Sequence, residues 1–321
     1  MRVLVTGGAG YIGATTAAAL LEAGHVVTVA DDLSRGHRAA VPTEATFVEV
    51  DVTAPDQIDA VVTDGGFDAC LHFAALIEAG ESMRAPERFF RVNTGGSAVL
   101  LEALLRHGVE RFVLSSTAAV YGEPETVPIT EDAPLVPTNA YGESKLLVER
   151  MLAWHHRIHG LKVAALRYFN AAGAVPGRGE RHDPETHLIP LVLQVAQGRR
   201  DHITVFGSDY PTPDGTCIRD YIHVADLADA HVRAVERLDE HGALTCNLGN
   251  GRGFSVAEVI AAARRVTGHE IPAEDAPRRP GDPAVLVASA ERARRLLEWS
   301  PQRDDLDRIV ADAWAEHEPS T

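Results

Sequence analysis

The chain has 321 residues, 45% of them hydrophobic, and a formal charge of −16. That length allows one or two domains with a large core. The charge excludes nucleic acid or an anionic membrane as the main partner, since both need a basic surface.

Met1-Arg2-Val3-Leu4-Val5 reads as a strand. It stops at Thr6-Gly7-Gly8-Ala9-Gly10-Tyr11-Ile12-Gly13, and alanines and leucines at helical spacing continue to Leu21 before Gly24 ends the helix. Strand, glycine loop and helix are the setting of a dinucleotide fingerprint. Gly8, Gly10 and Gly13 satisfy G-x-G-x-x-G, and Gly7, Gly10 and Gly13 satisfy the wider G-x-x-G-x-x-G. Such glycines let a pyrophosphate approach backbone N–H groups at a helix N-terminus. The second strand, Val26 to Ala30, ends in Asp31-Asp32. A carboxylate there can hold a ribose 2′-hydroxyl and repels a 2′-phosphate, so NAD is expected over NADP. Arg35 and Arg38 follow closely and hold that preference open.

Strand-like runs then alternate with helical ones. Thr46 to Val50 leads into Asp51-Val52, and Phe67 to Phe73 into Ala74-Ala75. A helical stretch containing Asn93 reaches about His107, and the strand Arg111 to Ser116 precedes Thr117. The next helix begins near Pro137. It carries Tyr141 and Lys145, four apart and therefore on one face. An ammonium beside a phenol favours the phenolate, so the tyrosine pKa is expected to fall, which suits it to exchange a proton with an alcohol. Leu161 to Arg167 is another strand. Repeated β-α units of this kind predict an α/β fold with a Rossmann-type doubly wound parallel sheet. Ligands sit at the carboxyl ends of such strands, so Asp31, Asp51, Ala74, Thr117 and Asn170 are expected to line one crevice.

After Gly173 the segments 174–190, 207–217 and 272–283 are rich in Gly, Pro and Arg. The expected division is a dinucleotide-binding domain over 1–173, rejoined by 219–250. A smaller, loop-rich C-terminal substrate domain is expected mainly over 174–321. Arg219 and Arg279 are candidates for clamping a second pyrophosphate, with plain surface charge as the alternative. His155 and His159 are spaced i, i+4 but lack a third ligand, so no metal site is expected. Ser115-Ser116 lacks the G-x-S-x-G elbow of a nucleophile. Cys70, Cys217 and Cys246 form no CxxC and suit a reducing compartment. No apolar run is long enough to span a bilayer, and a cytoplasmic protein is expected.

Thr6 to Gly13, Ser115-Ser116-Thr117, Tyr121-Gly122, Tyr141-Gly142-x-Ser144-Lys145 and Arg167-Tyr168-Phe169-Asn170 together resemble the extended short-chain dehydrogenase/reductase family. The block from Phe206 to Thr216, with Arg219 to Val224, Asn247-Leu248-Gly249 and Arg278-Arg279 to Asp282, resembles the UDP-glucose 4-epimerase branch of that family. The likeness covers nearly the whole chain. It implies reversible epimerisation at C4 of UDP-galactose and UDP-glucose through a 4-keto sugar, with NAD kept bound. Tyr141 would be base and acid, Lys145 would lower its pKa, and Thr117 would bond the sugar hydroxyl. Gly7, Gly10, Tyr11, Ile12, Gly13, Asp31, Asp32, Asp51, Val52, Phe73, Ala74, Ala75, Asn93 and Tyr168 would border NAD with Tyr141 and Lys145. Asn170, His187, Leu188, Phe206, Arg219, Arg279 and Asp282 would hold the UDP part. A homodimer joined through helices at about 85–107 and 141–159 is also implied.

Three positions depart from the family pattern. Ile77 stands where a lysine is usual, His187 replaces an asparagine, and Leu286 occupies the position that helps decide whether an N-acetyl group fits. UDP-N-acetylhexosamine, UDP-glucuronate and UDP-pentose therefore stay open as alternative substrates. A 4,6-dehydratase would need an acidic pair after Thr117, where Ala118-Ala119 stand. A non-catalytic NAD-binding scaffold would have no need of Tyr141, Lys145 and Thr117 together.

Overall fold

The computed structural model describes residues 1–279 and 282–317. Its first layer is a seven-stranded sheet built from β1 (Arg2–Thr6), β2 (Val26–Asp31), β3 (Thr46–Glu49), β4 (Ala69–His72), β5 (Arg111–Thr117), β6 (Lys162–Tyr168) and, later in the chain, β10 (Ala243–Leu248). The order across the sheet is β10-β6-β5-β4-β1-β2-β3, and every pairing is parallel. Val3, Leu4 and Val5 are fully buried, as a parallel strand covered on both faces must be. The order reverses on either side of β1, and Gly7 follows that strand directly. This reversal point is where a doubly wound sheet opens its ligand crevice.

Helices cover both faces. On one face α1 (Tyr11–Glu22), α8 (Val224–His241) and α10 (Glu291–Leu297) bury Leu20, Leu227, Val235 and Leu297 against Val3, Val5 and Val29. On the other face α2 (Pro55–Gly65), α5 (Gly96–Arg106) and α6 (Ala140–His159) bury Ile58, Leu100, Leu104, Val148 and Leu152 against Leu4, Cys70 and Phe112.

The helical stretch expected to reach His107 is broken into short pieces. α3 (Ala79–Ser82) and α4 (Pro86–Phe89) come first, followed by a π-helical turn over Phe90–Gly95 and then α5. Pro86 can open a helix but not sit inside one, which separates α3 from α4. The tyrosine helix starts at Ala140 rather than near Pro137, because the Asn139 side chain caps it by accepting from Gly142 N at 2.8 Å.

The second region packs α7 (Leu188–Ala196), α9 (Val256–Thr267) and α11 (Leu306–His317) around Val192, Val259, Ile260 and Ile309. Its strands are β7 (Asn170–Ala172), β9 (Ile218–His223), β11 (Gly253–Ser255) and β13 (Val285–Leu286), all paired to β9, and a parallel pair β8 (Ile203–Phe206) with β12 (Ala273–Ala276). Residues 219–250 thus divide. Ile218–His223 belong to the smaller sheet, while Val224–Leu248 supply a helix packed on α1 and the edge strand beside β6.

Candidate active site

A cleft of about 740 Å³ opens over the carboxyl ends of the sheet. Asp31, Asp51, Ala74, Thr117 and Asn170 all line it, as expected from their places at strand ends. So do Gly7, Gly10, Tyr11, Ile12, Gly13, Asp32, Val52, Phe73, Ala75, Tyr141, Lys145, Tyr168 and His187.

The glycine loop is shaped by close approach. Gly7 has φ +70°, and a Cβ there would run into the backbone nitrogen of Ala74 after β4. A Cβ on Gly13 would strike the carbonyl of Gly7. α1 has Gly10 as its N-cap, with no side-chain cap bond and no acidic residue in its first turn. Its leading N–H groups therefore have no side-chain partner, which fits a pyrophosphate at the helix N-terminus. Asp31 is buried at the end of β2 and accepts from Ala9 N at 2.9 Å and Leu33 N at 2.9 Å. Each carboxylate oxygen keeps a further lone pair for a ribose hydroxyl. Burial raises the Asp31 pKa, and those two hydrogen bonds oppose the rise. Arg35 ion-pairs with Glu78 at 3.0 Å and donates to Asp183 O at 2.7 Å, while Arg38 lies over Phe47 at 4.6 Å. Both arginines are engaged elsewhere, so the argument for a 2′-hydroxyl over a 2′-phosphate strengthens.

α6 brings the proton-transfer pair to the same wall. A Cβ on Gly142 would collide with Ala119 O, so only glycine lets the helix approach the turn Ala118–Tyr121 this closely. Thr117 begins that turn, its Oγ1 accepting from Ala119 N at 3.1 Å. Tyr141 and Thr117 both face the cleft there. Lys145 is buried, and its Nζ donates to Ser115 O at 2.9 Å. The expected lowering of the Tyr141 pKa does not appear. Burial raises it, the Thr117 hydroxyl opposes the rise, and Glu78 adds to it. Burial also brings the Lys145 ammonium down to about 8, against the pull of Glu149. Desolvation penalises both charged forms, and this outweighs the attraction anticipated from their i, i+4 spacing.

Asn93 does not reach the wall. It sits one layer behind, on the π-helical turn, with Oδ1 accepting from Leu76 N at 2.8 Å and Nδ2 donating to Leu76 O at 3.0 Å and to Ser144 Oγ at 3.0 Å. Ser144 Oγ in turn donates to Tyr141 O at 2.7 Å. Asn93 therefore ties the end of β4 to the first turn of α6. Leu188, Phe206, Arg219, Arg279 and Asp282 also lie off the main cleft wall. Four of them form a second group, in which Arg279 covers the Phe206 ring at 4.0 Å, Arg219 ion-pairs with Asp282, and Asp282 N donates to Arg279 O at 3.2 Å. Arg219 is buried, which removes the surface-charge reading for it. Leu188 begins α7 directly after His187.

The comparison with known proteins decides the family. The model of the NAD dependent epimerase/dehydratase family matches residues 3–249. The chain belongs to that family. Among its members, the UDP-glucose 4-epimerase of Streptomyces lividans is 56% identical over 317 residues, covering 98% of this chain and 96% of that protein. The enzyme of the same name from Corynebacterium glutamicum is 52% identical over 315 residues, 98% and 95% of the two chains. The structure of UDP-glucose 4-epimerase from Brucella ovis in complex with NAD superposes with a TM-score of 0.95 at 45% identity, covering 98% of this chain and 97% of that one.

Several residues of this epimerase/dehydratase-family site escaped the sequence reading. Glu180 and His182 line the cleft from the loop before α7, and Glu78, Arg88 and Arg91 line it near Ile77. Arg88 is ion-paired with Glu81, as Arg35 is with Glu78. Glu180, His182, Glu185 and His187 bring donor atoms within 4.8 Å of one another. Their spacing E-x-H-x-x-E-x-H was visible in the sequence, but its convergence depends on a loop fold that no periodicity reports. Leu286, on β13, packs against the Val120, Tyr121, Ile129 and Leu146 cluster.

Proposed function

We propose that the chain is an NAD-dependent UDP-glucose 4-epimerase, interconverting UDP-galactose and UDP-glucose. The observation that carries this is the convergence of Tyr141, Thr117 and Lys145 on the cleft that the glycine loop and Asp31 also line. Bound NAD supplies the hydride acceptor for C4 and afterwards the donor. Tyr141 Oη takes the proton of the sugar 4-hydroxyl and later returns it to the opposite face. Thr117 Oγ1 bonds the same hydroxyl and fixes its direction. The Lys145 ammonium, one turn along α6, would favour the phenolate against the burial that holds the Tyr141 phenol high. Arg219, Arg279, Asp282, Phe206, Leu188, His187 and Asn170 anchor the UDP part, leaving the 4-keto hexose free to turn over between the two half-reactions.

The assembly we propose is a homodimer joined through α5 and α6. Trp154 and Ile158 on α6 are 58% and 65% exposed, an apolar pair four residues apart on one face. Three buried, unpaired cysteines support a reducing, cytoplasmic setting.

The test is conversion of UDP-galactose to UDP-glucose by purified protein, with Tyr141→Phe alongside. Loss of general acid–base catalysis predicts a fall in kcat of roughly 10²–10⁴-fold with nucleotide-sugar binding retained. Undiminished activity in the variant would sink the mechanism, and turnover of a different UDP-sugar alone would sink the substrate assignment.

A further inference from the structure

We infer that Glu180 and Glu185 are positioning residues that hold the His187 side chain as a fixed cation facing the diphosphate of the nucleotide sugar. This rests on the function proposed above and adds to it the residues that prepare one anchor.

His187 Nδ1 lies 2.9 Å from Glu180 Oε1 and 2.9 Å from Glu185 Oε1. Two carboxylates converging on one ring nitrogen require a proton there. In a neutral imidazole the other nitrogen, Nε2, would then present a lone pair and repel phosphate oxygens. Only the imidazolium donates from both nitrogens. His187 lines the cleft and is also the N-cap residue of the nine-residue helix α7, without a side-chain cap bond of its own. Its ring and the first N–H groups of α7 thus lie at one helix start, where negative charge is favoured.

The carboxylates are themselves held. Glu180 is buried and also takes His182 Nδ1 at 3.1 Å. Glu185 Oε1 accepts from Thr186 N at 2.7 Å and His187 N at 2.8 Å. The segment is fastened to the dinucleotide side of the cleft: Arg35 Nη1 donates to Asp183 O at 2.7 Å, His37 Nε2 lies 2.9 Å from Arg181 O, and Tyr11 Oη donates to Gly173 O at 2.6 Å. The groups facing the pair are therefore His182 on its own segment, Tyr11 from α1, and Arg35 and His37 from the loop after β2. Tyr11 is kept neutral by burial and by the two glutamates. Burial opposes charge on both partners, yet His187 and His182 bring Glu180 down to about 2, and Glu180 and Glu185 bring His187 up to about 10. The cation persists across the whole neutral range. Without Glu180 its pKa falls, so charge and affinity are lost as pH rises.

The experiment measures UDP-glucose binding by calorimetry from pH 6 to 8.5 in a Tyr141→Phe background, which slows turnover. The diphosphate of UDP-glucose keeps constant charge over that range. The parent should bind with nearly flat affinity. Glu180→Gln should bind about tenfold more weakly at pH 8.5 than at pH 6, the scale of one charge-assisted hydrogen bond. Glu185→Gln serves as the second variant if the first does not fold. In a His187→Asn background the glutamate substitution should have no effect on the pH profile. A flat profile in both glutamate variants, or an unchanged slope without His187, would overturn the inference. So would a stoichiometric divalent cation in the purified parent that is lost in Glu180→Gln, because metal rather than a proton would then hold the cluster. A parent that binds no UDP-glucose at any pH would instead refute the proposed function beneath it.

Discussion

Glu149→Gln should destabilise the protein severely, although Glu149 touches neither the glycine loop nor the main cleft. Glu149 lies one turn after Lys145 on α6. Its Oε1 accepts from Ser116 Oγ at 2.5 Å and from Arg167 Nε at 2.9 Å, and its Oε2 accepts from Arg167 Nη2 at 2.5 Å. The two side chains are 9% and 5% exposed, so this is an ion pair inside the protein. Arg167 continues the network by donating to Tyr121 Oη at 2.9 Å, and that hydroxyl donates to Asn247 Oδ1 at 2.6 Å. Glutamine preserves the volume but turns an amide donor toward a guanidinium and leaves its charge uncompensated. Breaking a buried pair this way costs about 3–5 kcal/mol, a large part of the roughly 5–15 kcal/mol that holds a typical native state. Thermal unfolding should show a fall in Tm of several degrees. Glu149→Gln/Arg167→Met should regain most of it, since the buried guanidinium is removed together with its partner carboxylate. A single-variant loss under about 1 kcal/mol, or a double variant no better than the single, would refute the reasoning.

Gly7→Ala forces an L-residue to φ +70° and drives its Cβ into the Ala74 backbone. The left-handed conformation alone costs about 1–2 kcal/mol, and purified protein should carry little NAD when its acid-released cofactor is measured. Wild-type NAD content would contradict that. Lys145→Met removes the cation beside Tyr141. Because the phenol is already raised by burial, the rising limb of the pH–rate profile should move to higher pH, and an unmoved limb would show that Lys145 does not support the phenolate.

Local patterns carried much of this site. The strand, glycine loop and helix from Arg2 to Glu22 are contiguous, and Asp31, Ala74 and Thr117 were placed by their strand ends. Tyr141 and Lys145 share a helix face for reasons of spacing alone. What the pattern could not convey was depth. An i, i+4 pair looks the same on a solvated helix as in a buried wall, so the raised Tyr141 and lowered Lys145 appear only once neighbours are known. Asn93, expected to border the cofactor, lies on the π-helical turn and bonds Leu76 and Ser144, contacts that no helical periodicity reports. Glu180 and Glu185 were missed for a related reason: their loop is fixed by contacts to Arg35 and His37, 148 and 144 residues earlier. The second group around Arg219 and Arg279 is joined by pairings between β9 and β13, and between β8 and β12.

The central claim is that C4 is inverted by removing and returning the same hydride, with Tyr141 moving only the hydroxyl proton. Conversion of UDP-galactose in D₂O, followed by NMR, tests it most directly. UDP-glucose should form with protium retained at C4, because the hydride never exchanges with solvent. Deuterium at C4 would mean that the carbon is deprotonated and reprotonated, and would contradict the account.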